Sequence, residues 1–252
     1  MSEFNVTVES GKSIKPPTAG KYCDRDIVVT AEGGGQDSSP YGYGEGEMLG
    51  DSFMTPSKNS LGSCSNLRVK FYNATSVPEM EFCGCPGLKE VHFPNATIVG
   101  DNAFTECTGL EIARFDVARS LGDSAFSDCN KLHRVELPKV TSVGMYAFLR
   151  CTSLTSIDLP SATSIGMYAF NTCVYLNAVI LRTTETVCVI DPTALITLGT
   201  AEEPRQLVNI YIPAVMFELY RSVYEPAFEQ YGFAGYFDIV FHKIEDYPEI
   251  CG

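Results

Sequence analysis

Apolar residues recur along the middle of the chain at a fixed interval. Phe82, Phe104, Phe126, Phe148 and Phe170 follow one another every 22 residues. Three residues after each stands Cys85, Cys107, Cys129, Cys151 or Cys173, and six after stands Leu88, Leu110, Leu132, Leu154 or Leu176. The pairs Val91/Phe93, Ala113/Phe115, Val135/Leu137, Ile157/Leu159 and Val179/Leu181 come next. Val99-Gly100, Leu121-Gly122, Val143-Gly144 and Ile165-Gly166 then lead to Ala103, Ala125, Ala147 and Ala169. A weaker copy precedes these (Leu61, Cys64, Leu67, Val69, Phe71, Ala74, Val77) and is one residue short between Leu67 and Phe71. A period of this size predicts a stack of identical supersecondary units.

Within one unit, Leu154, Ile157 and Leu159 include the period-two alternation of a strand, which Pro160 ends. Ser161–Ile165 reads as a second short extended stretch, Gly166 as a bend, and Met167–Cys173 as about one helical turn. About six buried side chains at roughly 1.5–3 kcal/mol each do not offset roughly 1–2 kcal/mol of backbone entropy per ordered residue. A single unit is therefore unstable, and the units must stack.

The pattern L-x-x-[VI]-x-[LF]-P…[VI]-G-x-x-A-F-x-x-C, which Leu154 to Cys173 follows, resembles the BspA-type leucine-rich repeat. The likeness covers residues 61–181 and implies a mostly β, right-handed solenoid with 22-residue repeats. The copy with Ala113 and Asp116 departs from the pattern, so an irregularity is expected there. Residues 180–252, with Ile210–Pro213 and Ile244–Tyr247, are similar to the C-terminal ends of such proteins in gut bacteria and their phages. Lys12 to Val29 is similar to leader segments of prophage tail and baseplate proteins. The resemblance implies attachment, as a surface adhesin or as part of a phage-like particle.

The chain divides into a small β anchor (1–32), a flexible Gly-rich linker (33–50), the solenoid (51–182) and an α+β cap (183–252). The anchor is expected to be tethered rather than packed on the solenoid, joined to a larger assembly or to itself. Pro213 is expected to start a helix whose apolar face is Met216, Leu219, Tyr220, Val223 and Tyr224, with Pro226 limiting it. The cap's aromatic residues, Tyr220, Tyr224, Phe228, Tyr231, Phe233, Tyr236 and Phe237, read either as a filled cap or as a ligand surface.

A net charge of −13 argues against a nucleic-acid surface, which needs clustered Lys and Arg, and against an anionic membrane. No stretch is long and apolar enough to span a bilayer. Met1 to Thr7 lacks a basic and apolar lead, so no Sec signal is expected. Six of the ten cysteines hold one repeat position, which reads as a column of free buried thiols rather than disulfides or a metal site. The sequons at Asn73 and Asn95 fall at a repeat position that takes small polar residues. No hydrolase, zinc-protease or phosphate-loop motif occurs, and neither a catalytic residue, a metal nor a cofactor is expected.

What remains is a surface. The outward strand residues Arg68, Lys70, Glu90, His92, Arg114, Arg134, Glu136 and Asp158 form the candidate ligand-binding face, continued by Ala178 and Ile180. It reads either as a self-paired solvated face, with Glu90 diagonal to Arg114, or as a strip for a protein or glycan receptor. The expected function is non-enzymatic host recognition on a phage or prophage tail, or adhesion from a bacterial cell surface.

Overall fold

The computed structural model describes residues 4–9, 26–32, 67–71, 74–195, 206–230 and 237–251. The linker at 33–50, the early repeat positions Leu61 and Cys64, and most of the cap's aromatic side chains lie outside the described residues.

The chain is a β-solenoid of about five turns with repeats of about 22 residues. A principal sheet contains, in parallel order, β1 (Phe4–Glu9), β2 (Asp26–Glu32), β3 (Leu67–Phe71), β5 (Leu88–His92), β7 (Ile112–Arg114) and β9 (Arg134–Glu136). A second sheet of two-residue strands runs up another side of the coil: β4 (Ser76–Val77), β6 (Ile98–Val99), β8 (Ser120–Leu121), β10 (Ser142–Val143), β12 (Ser164–Ile165) and β14 (Val189–Ile190). Strands β11 (Ser156–Leu159), β13 (Ala178–Leu181), β15 (Gln206–Ile212) and β16 (Phe237–Lys243) form a third parallel sheet, which carries the strand ladder past residue 182.

Equivalent side chains stack on themselves between these sheets. Neighbouring rings in the Phe82-to-Phe170 column lie 5.1–5.4 Å apart and within 7° of parallel. Phe93 and Phe115 form a shorter column whose edges meet the first column's faces. Cys107, Cys129, Cys151 and Cys173 are buried and free. Each thiol donates to the carbonyl of the phenylalanine 25 residues earlier, at 3.0–3.1 Å. The cysteine column therefore ties successive coils together as well as filling space.

The segment read as a helical turn is instead a stack of tight turns. Met80, Asn102, Ser124, Tyr146 and Tyr168 have φ between 53° and 57°, and Glu106, Asp128, Arg150 and Thr172 repeat the left-handed conformation four residues later. Amides alternate in direction. Ala103, Thr105 and Cys107 close turns within their own coil, while Asn102, Phe104 and Glu106 donate at 2.8 Å to the next coil. The alternation aims every second amide of the segment at the neighbouring coil, which i→i−4 bonding along one helix axis would not do.

The repeat glycines also serve a different purpose from the expected bend. Gly84 has positive φ, whereas Gly100, Gly122, Gly144 and Gly166 do not. They are small because coils meet there: a Cβ on Gly144 would lie 2.6 Å from the Gly122 backbone.

The anchor strands are packed, not tethered. Ile27 and Val29 are in register with Val69 and Phe71, so the period-two pattern of 26–29 continues that of the repeats. The missing residue before Phe71 is absorbed by a register shift at Leu67/Arg68. The Ala113 copy pairs regularly on both sides. The irregularity lies one coil later, where the ladder is interrupted between β9 and β11. Glu136 and Asp158 hold equivalent repeat positions across that seam, and like charges placed opposite one another disfavour pairing.

At the C-terminal end, a 3-10 turn (Ala214–Met216) leads into helix α1 (Phe217–Gln230). Pro226 sits inside this helix instead of ending it. Of the five residues expected on its apolar face, Met216, Tyr220 and Tyr224 are buried, whereas Leu219 and Val223 are 48% and 46% exposed. Among the described residues the helix is fastened to the core by the i, i+4, i+8 row and by the partly buried Phe217. A second 3-10 turn (Ile244–Asp246) and α2 (Pro248–Cys251) complete the described chain.

Candidate binding surface

The outward positions of the principal sheet stack one coil apart because the ladder is parallel and in register. Arg68 lies beside Glu90, and Lys70 beside His92. Glu90 lies beside Ile112, and His92 beside Arg114. Ile112 lies beside Arg134, and Arg114 beside Glu136. Each side chain therefore meets its direct neighbour and the diagonal one.

Five of the eight candidate residues join in one chain of ion pairs. Arg68 Nε is 3.7 Å from Glu90 Oε2, and Glu90 accepts from Arg114 Nη1 on the expected diagonal. Arg114 Nε bonds Glu136 Oε1 at 3.2 Å, and Arg134 Nε bonds the same oxygen at 2.8 Å. Burial of Arg114 opposes its charge, but Glu136 and Glu90 outweigh it and raise the guanidinium above its ordinary pKa. His92 leaves this chain and contacts Asp116 at 3.1 Å. Asp158 stands beyond the seam and is held by Arg182 through bonds of 2.8–3.1 Å.

Lys89–Glu111, at 3.1 Å, is an ion pair that sequence reading did not single out. Asp116 and Arg182 were missed as well. Asp116 and Arg182 stand at the repeat position that holds Pro94, Pro138 and Pro160, and that departure was the available signal.

The expected continuation of the face through Ala178 and Ile180 does not hold. Both are buried with Tyr211 beneath Ile244 and Tyr247. Tyr211 stacks on His242 at 5.1 Å, and Tyr247 meets both ring edges-on. Glu245 accepts from the Ala214 amide at 3.0 Å, so the end of the chain is fastened across β13 and β15. Among the described side chains, the chain of ion pairs runs over β3–β9, and Asp158 with Arg182 forms a separate pair beyond it.

The buried thiols are poor ligands and nucleophiles. Burial raises the pKa of Cys129 and Cys151 well above the ordinary value, and that of Cys173 and Cys188 to about 12. Among the described residues no three His, Cys, Asp or Glu side chains are grouped to hold a metal ion, and no helix is long and apolar enough to cross a membrane.

The family model of the BspA type leucine rich repeat region matches residues 57–177 in six copies. Residues 57–177 are a BspA-type repeat region. No curated protein matches the chain. Among solved structures, a leucine-rich repeat protein of T. pallidum is 25% identical with a TM-score of 0.46, covering 74% of this chain and 95% of its own. A leucine-rich cell surface protein of Faecalibacterium prausnitzii A2-165 is also 25% identical, with a TM-score of 0.43 over 57% of this chain. A leucine-rich repeat protein of Bacteroides ovatus ATCC 8483 is 21% identical, with a TM-score of 0.47 over 86% of this chain. The present chain spans 38% and 54% of the latter two. The repeat-solenoid fold suggests a binding role.

Proposed function

We propose that this chain is a non-enzymatic attachment protein that docks its principal sheet on a receptor, as a host-recognition component of a phage or prophage tail. One observation carries the reading. The strip over β3–β9 holds Arg68, Lys70, Arg114 and Arg134 against Glu90, Glu136 and the Asp116 that meets His92, an excess of one cation on a chain of net charge −13. Its members are held in register before any partner arrives. Surface pairs of this kind are worth about 0–1 kcal/mol each, so exchanging an internal carboxylate for a partner's costs little. The receptor is accordingly a protein or glycan bearing acidic groups. Nucleic acid and membrane insertion play no part in this reading. The N-terminal segment joins the larger assembly. The tail setting is supported by the leader-like segment Lys12 to Val29.

A second setting, adhesion from a bacterial cell surface, is favoured by the repeat family itself. Mass spectrometry of gradient-banded virions induced from the source strain separates the two. Stoichiometric presence is expected; absence from particles with recovery on intact cells selects the adhesin. For the strip, Arg114→Gln with Arg134→Gln, which sets no like charge opposite Glu90 or Glu136, is expected to abolish binding to host cells while the melting temperature stays within a few degrees. Unchanged binding would move the site elsewhere.

A further inference from the structure

A different surface of the solenoid departs from its own repeat in two adjacent coils. In earlier coils the residue after the stacked glycine is an aspartate with a structural task. Asp101 Oδ1 accepts from the Asp123 amide at 2.8 Å, and Asp123 Oδ1 accepts from the Met145 amide at 2.7 Å. The next two coils place Met145 and Met167 there, 36% and 42% exposed. The Met167 amide thereby forgoes the acceptor that its predecessors have. The following position is left-handed in five successive coils, from Met80 to Tyr168, which suits Asn102, yet two of them place Tyr146 and Tyr168 there with φ of 57° and 53°. The two rings stack at 5.3 Å. Each substitution forfeits something the fold would otherwise gain, and both occur side by side.

Immediately before these residues in the same coils stand Ser142 and Ser164, in register on the outer face of the second sheet. Neither hydroxyl has a hydrogen-bond partner among the described residues. The neighbouring Thr163 hydroxyl, by contrast, is spent on the Thr141 carbonyl at 3.0 Å. Stacked strands lie about 4.8 Å apart, so hydroxyls, methionines and tyrosines form parallel rows at one-coil spacing. None of the six residues is charged.

We propose that this platform binds a neutral glycan, with sugar hydroxyls bonded to Ser142 and Ser164 and the apolar C–H faces of the sugar laid against the Met and Tyr rows. Charge selects that occupant: a polyhydroxylated neutral chain matches unpartnered hydroxyls beside exposed apolar groups, whereas an acidic partner matches the arginine strip on the principal sheet. The two surfaces are separate, and this inference does not depend on the strip.

Affinity electrophoresis of the full chain in gels cast with soluble mannan, dextran, galactomannan or xyloglucan tests it. At least one polymer is expected to retard the protein. Met145→Asp with Met167→Asp is expected to weaken that retardation at least ten-fold, and because it restores the residue used at 101 and 123 it keeps the coil folded. Ser142→Lys with Ser164→Lys is expected to do the same, while the Arg114→Gln, Arg134→Gln protein is expected to migrate with unchanged retardation. No retardation by any polymer, retardation that survives both platform variants, or retardation lost only with the arginines would each overturn the proposal. So would a dimer in light scattering that disappears with the methionines, because the occupant would then be a second copy of the chain.

Discussion

The Tyr224 hydroxyl donates to the Cys188 carbonyl at 2.7 Å and, with its lone pair, accepts from the Ile190 amide at 2.8 Å. Tyr220 accepts from the Cys188 amide at 2.7 Å. Strand β14 is the last of the second sheet, so its outer edge has no following coil to bond. Two side chains from α1 replace that coil, and an open sheet end becomes a closed one.

Tyr224→Phe should therefore destabilise the protein by about 1–3 kcal/mol, because it strands a buried carbonyl and a buried amide without removing packing. Urea unfolding of the variant beside Tyr220→Phe, which strands the Cys188 amide alone, checks this. A loss at 224 smaller than that at 220 would contradict the arrangement.

Alkaline pH should weaken the fold through the cysteine column. Cys129, Cys151 and Cys173 are raised in the folded chain by burial, above the ordinary 9.0. The folded state then holds protons that the unfolded state releases, so the contribution is complete below pH 9 and declines above it. Each thiol costs about 1.4 kcal/mol per pH unit over that range. Thermal melts between pH 8 and 11 should show the decline, and Cys151→Ala should make it shallower. These thiols should also resist a thiol reagent until the protein is denatured.

Two glycines separate steric need from backbone need. A Cβ on Gly109 would lie 1.9 Å from the Pro86 carbonyl oxygen, while one on Gly84, at φ 71°, would meet nothing within 4 Å. Gly109→Ala should cost about 3 kcal/mol or more, as overpacking does at its upper end. Gly84→Ala should cost about 1–2 kcal/mol, from the left-handed conformation alone. Equal losses in chemical unfolding would show that one cause had been misassigned.

The seam between β9 and β11 should open before the rest of the ladder. No strand ladder joins β9 to β11, whereas β7 and β9 pair over three residues. Native-state hydrogen exchange is expected to be faster for the amides of β9 and β11 that face the seam than for those of β7. Uniform protection across the three strands would refute this. Asp158→Asn, which removes the like charge opposite Glu136, should slow exchange there.

Some of this was readable from residue order and some was not, as particular positions show. The stack of Phe82, Phe104, Phe126, Phe148 and Phe170 was legible because a fixed period places equivalent side chains at equivalent depth. The diagonal between Glu90 and Arg114 followed from the same period together with strand alternation. The alternating turns were not legible. Asn, Ser and Tyr at the left-handed position share no residue signature, and an Ala-Phe-rich stretch reads as helix when its amides are assumed to bond locally.

By itself the sequence determined the repeat length, the inward columns and the alternation that places charged residues on the outer side of β3–β9. Those properties depend on neighbours a fixed number of residues away, and order along the chain encodes them. The tertiary structure alone decided which outward residues remain accessible. Ala178 and Ile180 share the strand positions of Arg134 and Glu136, yet they are buried because Ile244 and Tyr247 fold back over them from more than 60 residues along the chain. Leu219 and Val223 fit an apolar helix face, yet they stay exposed because Met216, Phe217, Tyr220 and Tyr224 are turned toward the core instead. Burial is set by whatever packs opposite a side chain, and residues distant in sequence supply it.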